Sequence, residues 1–140
     1  MVKDLNTQID NIVLNTKQRI LNVIIQSISE TVEESQVTVA RGGKMRVKTG
    51  FLRSSGIASL NTSPTGPSKG DPKGTYKWDG ESVNKVLANL KIGDVFYFGW
   101  TARYAKYREV QDGFLESAIQ NWQKHVDKAT TYYKNKDARK

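Results

Sequence analysis

The stretch from Asp4 to Glu34, DLNTQIDNIVLNTKQRILNVIIQSISETVEE, decides how the rest of the chain can fold. Leu5, Ile9, Ile12, Val13, Ile20, Val23, Ile24, Ile28 and Val32 recur at steps of three and four, which is the period of one helix face. Asp10, Lys17, Arg19 and Glu30 are left for water. Asp4 can cap the start, and no Gly or Pro interrupts the run. A single long amphipathic helix is expected. Its β-branched residues lower intrinsic helicity, so packing must hold it. Thr16 and Ser27 fall near the stripe, where the helix is expected to meet a neighbour less tightly.

Beyond it the pattern changes. Gln36 to Arg41 (QVTVAR) alternates like a short strand and leads into a Gly42-Gly43 turn. Met45 to Leu60 reads as small β-like pieces around KTGFLRSSG. Residues 61–75 hold all three prolines with several Gly, Ser and Thr, and are expected to form a long flexible loop. Asp79 or Ser82 can cap a second helix carrying Val83, Val86, Leu87 and Leu90, with Gly93 as the residue that ends it. Asp94 to Trp100 (DVFYFGW) is aromatic and β-branched, and is the best strand. A turn from Tyr104 to Asp112 then leads into a last helix, Gly113 to Tyr133. Its buried stripe is read as Leu115, Ala118, Ile119, Trp122, Val126, Ala129 and Tyr133. This is an α+β order: a long N-terminal and a C-terminal helix on a small, mostly antiparallel sheet, forming one domain over residues 1–140.

Lys and Arg number 22 against 14 acidic residues, a net charge of +8. That balance suits contact with a polyanion, but single bases scattered among polar residues also describe a solvated surface. Residues 134–140 read the same way, as a basic tail. The absence of cysteine rules out disulfides, thiolate metal sites and cysteine nucleophiles. No apolar run approaches the length of a membrane span, and MVKDLNTQID lacks the apolar stretch of a signal peptide. Synthesis in the cytoplasm and no membrane partner are expected.

Catalytic chemistry finds little to work with. His125 is the only histidine, and a zinc site needs three or four protein ligands. Asp and Glu are dispersed rather than clustered as metal-dependent phosphoryl chemistry requires. Gly42-Gly43-Lys44 and residues 70–74 lack the spacing of a phosphate-cradling loop. No catalytic residue, cofactor or metal site is therefore expected, and the chain is read as a non-enzyme. Tyr97, Trp100, Arg103, Tyr104, Lys106, Tyr107 and Arg108 interleave aromatics with bases. They could form a stacking platform for single strands, which would make this a small basic nucleic-acid-binding protein. Core filling by alternate strand residues accounts for the same positions more simply.

Three segments, taken together, resemble a family. Lys48 to Ser55 (KTGFLRSS) resembles the TG-x-L-R-x-S element of the minor tail components of tailed bacteriophages, the group that includes neck and tail-completion proteins. Gly99-Trp100-Thr101-Ala102, Tyr104-Ala105-Lys106-Tyr107 and Glu109 resemble its G-x-x-x-x-YA-x-x-x-E element. Gly113 to Ala118 with Asn121-Trp122 resembles its closing G-F-[VL]-x-x-A…NW helix start. Here Glu109 to Gly113 is compressed relative to the family pattern. The resemblance implies a structural virion protein of the neck, a homo-oligomeric ring, sixfold in the family, that joins head to tail. Its implied partners are other copies of itself, head connector or adaptor proteins, tail terminator or tail tube proteins, and phage DNA passing through the lumen. Thr49, Gly50, Leu52, Ala105, Phe114 and Trp122 would carry the fold. Arg53, Tyr104, Tyr107 and Glu109 would lie at interfaces, Arg53 outside the fold and Glu109 facing a basic residue such as Arg53 of the same or a neighbouring copy.

Overall fold

The computed structural model describes residues 5–66, 70 and 73–138. Among them lie the helices α1 (Leu5–Ser35), α2 (Phe51–Ser54), α3 (Glu81–Leu87), α4 (Ala105–Asp112), α5 (Phe114–Gln120) and α6 (Trp122–Ala138). The strands are β1 (Gly56–Leu60) and β2 (Phe96–Trp100), which pair antiparallel from Gly56 opposite Trp100 to Leu60 opposite Phe96. The class is α+β, with a long first helix, a C-terminal helix and a small antiparallel sheet. The expected cap Asp4 lies outside the described residues.

A two-stranded ribbon is marginal in water by itself, so helices must cover it. The second half of α1 does this. Leu21, Ile24, Ile25, Ile28 and Val32 pack with Val83, Leu87 and Leu90 of the α3 region and with Ala58, Leu60, Phe96 and Phe98 of the sheet. A second cluster joins Met45, Phe51, Leu52, Ala102 and Phe114, flanked by Tyr76, Trp100, Ala105 and Leu115. Edge-to-face contacts connect the two along Trp78, Phe98, Trp100 and Phe114. At its far end the ribbon is closed by Asn61, whose side chain donates to Asp94 Oδ1 and accepts from Val95 N at 2.9 Å.

Several expectations change. Gln36 to Arg41 is not a strand. Thr38 makes one isolated bridge to Met45, and Val39–Arg41 is a single 3-10 turn. This tight excursion wraps the fully buried Met45, and Gly43 makes it possible, since a Cβ there would lie 2.1 Å from the Val37 carbonyl oxygen. Phe51–Ser54 is a helical turn rather than a β piece; Gly50 precedes it at φ +86°. The end of α3 comes before Gly93, which instead turns the chain between Lys91 and Asp94. Residues 104–112 contain a helix, α4, where a turn is expected. Its ions pair locally, Arg108 with Asp112 at 2.7 Å and Arg46 with Asp112 at 3.2 Å. Within the expected flexible loop, residues 67–69 and 71–72 lie outside the described residues. The described Gly70 comes so close to the Phe51 ring that a Cβ would meet it at 2.6 Å. Tyr76, just past the loop, stacks edge-on against the same ring.

The last helix is two helices. Asn121 breaks the run at φ −93°, ψ 5°, and its side-chain amide donates to Glu34 Oε1 at 2.6 Å. A residue's position on a face is counted from within its own helix, so this break shifts the phase. Ala118 and Ala129 are buried as expected, but Ile119 and Trp122 turn outward, Trp122 being 38% exposed. Trp122 is thus a surface residue at the start of α6 and not a core residue of the fold.

Candidate assembly surfaces

The polar seam between α1 and α6 is built from one face of α1. Glu30 and Glu34 stand one turn apart and grip His125 from both sides, Nδ1 at 3.1 Å from Glu30 and Nε2 at 2.9 Å from Glu34. Lys128 adds a contact to Glu30 at 3.6 Å. Ser27 lies on the same α1 face and is fully buried. A small side chain there lets the helices approach closely, where a looser fit is expected from its polarity. The pairs 34/121, 30/125 and 30/128 fix α6 antiparallel to α1.

Burial alone raises the Glu30 carboxyl, but the Gln26 amide, Lys128 and His125 outweigh it and hold its pKa below the ordinary value. A folded-state pKa below the unfolded one gives stability that is present above the ordinary carboxylate range. That stability is lost as pH falls through it toward the folded value. Urea melts followed by circular dichroism from pH 7 to pH 3 should therefore show stability declining in acid, with a shallower decline in Glu30→Gln. Equal slopes in the two proteins would remove Glu30 from the seam's acid response.

The residues expected at interfaces separate into two kinds. Arg53 is half-buried, and its Nε donates to the Gln36 carbonyl at 2.8 Å while Gln36 Nε2 donates to the Arg53 carbonyl at 2.9 Å. Burial, and then the charge of Arg41, push the Arg53 guanidinium down from its usual value. Arg53 is a structural clamp on the end of α1, not a free surface charge. Glu109 does not face Arg53 either. Its two carboxylate oxygens accept from the backbone N–H groups of Leu115 and Glu116 at 2.8 and 2.9 Å, capping α5 within the same chain. Tyr104 and Tyr107 do lie on the surface, Tyr107 being 71% exposed.

The same geometry divides the aromatic-basic run. Trp100 donates its indole N–H to Gln36 Oε1 at 3.1 Å and stacks on Phe98 and Phe114, so its faces are taken by protein. Sequence reasoning missed Gln36, which is buried and ties α1, α2 and β2 together through these bonds. A lone Gln after a helix carries no local signal for that role. For His125 a signal existed, the i, i+4 spacing of Glu30 and Glu34.

Two apolar surfaces remain open. Every residue from Leu5 to Ile20 is exposed, so the first half of α1 is an arm beyond the packed body, and its stripe carries Leu5, Ile9, Ile12 and Ile20. The second is the outer ridge of α4, where Tyr104, Tyr107 and Val110 follow one another at three-residue steps; Val110 is 81% exposed. A cleft between α1 and α3, lined by Ser29, Val32, Glu33, Trp78 and Glu81, measures about 170 Å³. That is below the ~300–1,000 Å³ of ordinary ligand pockets. Among the described residues, no group of three or more His, Cys, Asp or Glu side chains could hold a metal ion. No helix among them is long and apolar enough to cross a membrane. No family model matches the chain, and neither the curated proteins nor the solved structures contain a detectable match to it.

Proposed function

We propose that this chain is a structural subunit of the phage neck, assembling as a ring that completes the tail and joins it to the head connector. One observation carries the reading. The three separated segments that resemble the minor tail components converge on a single cluster, Phe51 and Leu52 from the first, Trp100, Ala102 and Ala105 from the second, Phe114 and Leu115 from the third. Their meeting in one core supports taking the three segments together. The exposed Leu5, Ile9 and Ile12 of α1 and the ridge of α4 add to it, because a protein whose work is assembly must keep apolar surface available to its neighbours. On this reading the ring meets connector or adaptor proteins on one side and tail terminator or tail tube proteins on the other, and phage DNA passes through its lumen.

The test is genetic and visual. Particles produced from a phage genome carrying an internal deletion of this gene should appear in electron micrographs as DNA-filled heads and separate tails. An antibody against the protein should label the head–tail junction of wild-type particles. Joined, infectious particles from the deletion would overturn the proposal.

A further inference from the structure

The positive charge of this chain is unevenly placed. Between Glu34 and Asp71 there is no acidic residue, while Arg41, Lys44, Arg46, Lys48, Arg53 and Lys69 all lie there. The remainder balances 16 bases against 14 acids, so six of the eight net charges come from about a quarter of the chain. Lys69 lies outside the described residues. Of the other five, Arg46 is paired with Asp112. Arg41, Lys44 and Lys48 are exposed, and among the described residues no carboxylate lies within ion-pair distance of them.

The fold holds these charges in place. Met45 N donates to the Val37 carbonyl at 3.1 Å, Val39 N to the Met45 carbonyl at 3.0 Å and Gly43 N to the Thr38 carbonyl at 2.9 Å. Those bonds close the loop at its base, and the fully buried Met45 anchors it. Arg53 is fastened beside the same base, through its reciprocal bonds with Gln36, the neighbour of Val37. That clamp uses Nε and leaves the terminal nitrogens of Arg53 reaching solvent. After burial, the charge of Arg41 is the second cause that lowers the Arg53 pKa, so the two guanidinium groups stand close enough to repel. Like charges fixed near one another without an acid between them are relieved by an anion from outside.

We propose that Arg41, Lys44 and Lys48, with the terminal nitrogens of Arg53, form a contact surface for the phosphate backbone of nucleic acid. Gly42-Gly43 lies between Arg41 and Lys44, and the space beside Gly42 is open, so a strand can approach the tip without meeting a side chain. No Asn, Gln or aromatic residue occurs from Val37 to Lys48 to read or stack on a base, so the contact is to phosphate and indifferent to sequence. This contact does not depend on the ring; where the ring forms, it would meet the passing duplex.

Fluorescence anisotropy of a short labelled DNA duplex, titrated with the full chain from about 50 to 200 mM salt, tests this. The wild type should bind duplexes of different sequence alike, and more weakly as salt rises. Arg41→Gln/Lys44→Gln/Lys48→Gln should weaken binding at least ~10-fold at low salt. Its slope of log affinity against log salt should be shallower by about 3 per bound subunit, because each lost phosphate contact removes ~0.9. Lys44→Gln alone should make the slope shallower by ~0.9. All three positions are exposed, and Arg41 is repelled by Arg53, so the triple variant should melt no lower than the parent by circular dichroism. Lys77→Gln/Lys85→Gln/Lys124→Gln removes the same charge from exposed positions elsewhere and should keep most of the affinity. Equal losses in the two triple variants would overturn the proposal, because binding would then follow net charge alone. So would a wild type that binds no duplex at about 50 mM salt. A polyglutamate peptide bound as tightly, through the same three residues, would make the partner an acidic protein and overturn the phosphate assignment. The separation of heads from tails in the gene deletion is read independently, so the neck reading stands or falls apart from these outcomes.

Discussion

Replacing Phe114 with Ala should lower the stability of the folded subunit by about 3–5 kcal/mol, the usual result of deleting a buried aromatic ring. Phe114 is 2% exposed, stacks on Trp100 at 4.8 Å between centroids, and joins Met45, Phe51, Leu52 and Ala102 in one cluster. The cluster collects three distant parts of the chain, so the cavity cannot be closed by the shift of one element. Thermal denaturation by circular dichroism should show a fall of roughly 10 °C or more. The contrast is Trp122→Ala. Trp122 is the larger side chain, yet it is 38% exposed at the start of α6, and its removal should cost about 1 kcal/mol or less. A Trp122 variant that loses more than the Phe114 variant would put the helix break at Asn121 in the wrong place.

Gly50→Ala should be strongly damaging for so small a change. Gly50 sits at φ +86°, and a Cβ built there lies 2.2 Å from the Tyr76 carbonyl oxygen. Neither side can give way easily. Tyr76 N donates to the Thr49 carbonyl at 2.9 Å, and Gly50 starts the turn that drives Phe51 and Leu52 into the core. Left-handed backbone costs an alanine about 1–2 kcal/mol, and a forced contact of this kind adds about 1–3 kcal/mol. Gly42→Ala isolates the first contribution, because Gly42 has nearly the same φ, +89°, with nothing within 4 Å of its Cβ position. Urea melts of the two variants should differ by the contact alone. Equal losses would show that Tyr76 moves aside freely.

Much of this architecture is legible in the residues. The limits of the first helix, the FYFGW strand, the buried Leu52 and the glycine turn before it all follow from period, β-propensity and the absence of a Cβ. What is not legible has particular causes. α4 buries no residue: its Tyr–Tyr–Val ridge faces outward and Arg108 pairs with Asp112 within a turn, so no core-facing stripe marks it. The phase of the last helix is lost at Asn121, where a side-chain bond to Glu34, distant in sequence, sets the break. The candidate site is legible only in part. Tyr104 and Tyr107 are on the surface, but Arg53 and Glu109 are consumed by bonds to backbone groups that no spacing rule anticipates.

The pairing of α1 with α6 also sets a timetable for synthesis. Glu34 waits for Asn121, 87 residues later, and Glu30 waits for His125, 95 residues later. At ribosomal speeds of ~5–20 residues per second, that interval is roughly 5–20 s. Throughout it the polar face of α1 lacks its partners, whereas the strands and α3 that pack on the apolar face of its second half are already made. A messenger truncated before codon 121 leaves α1 without the helix that closes over it.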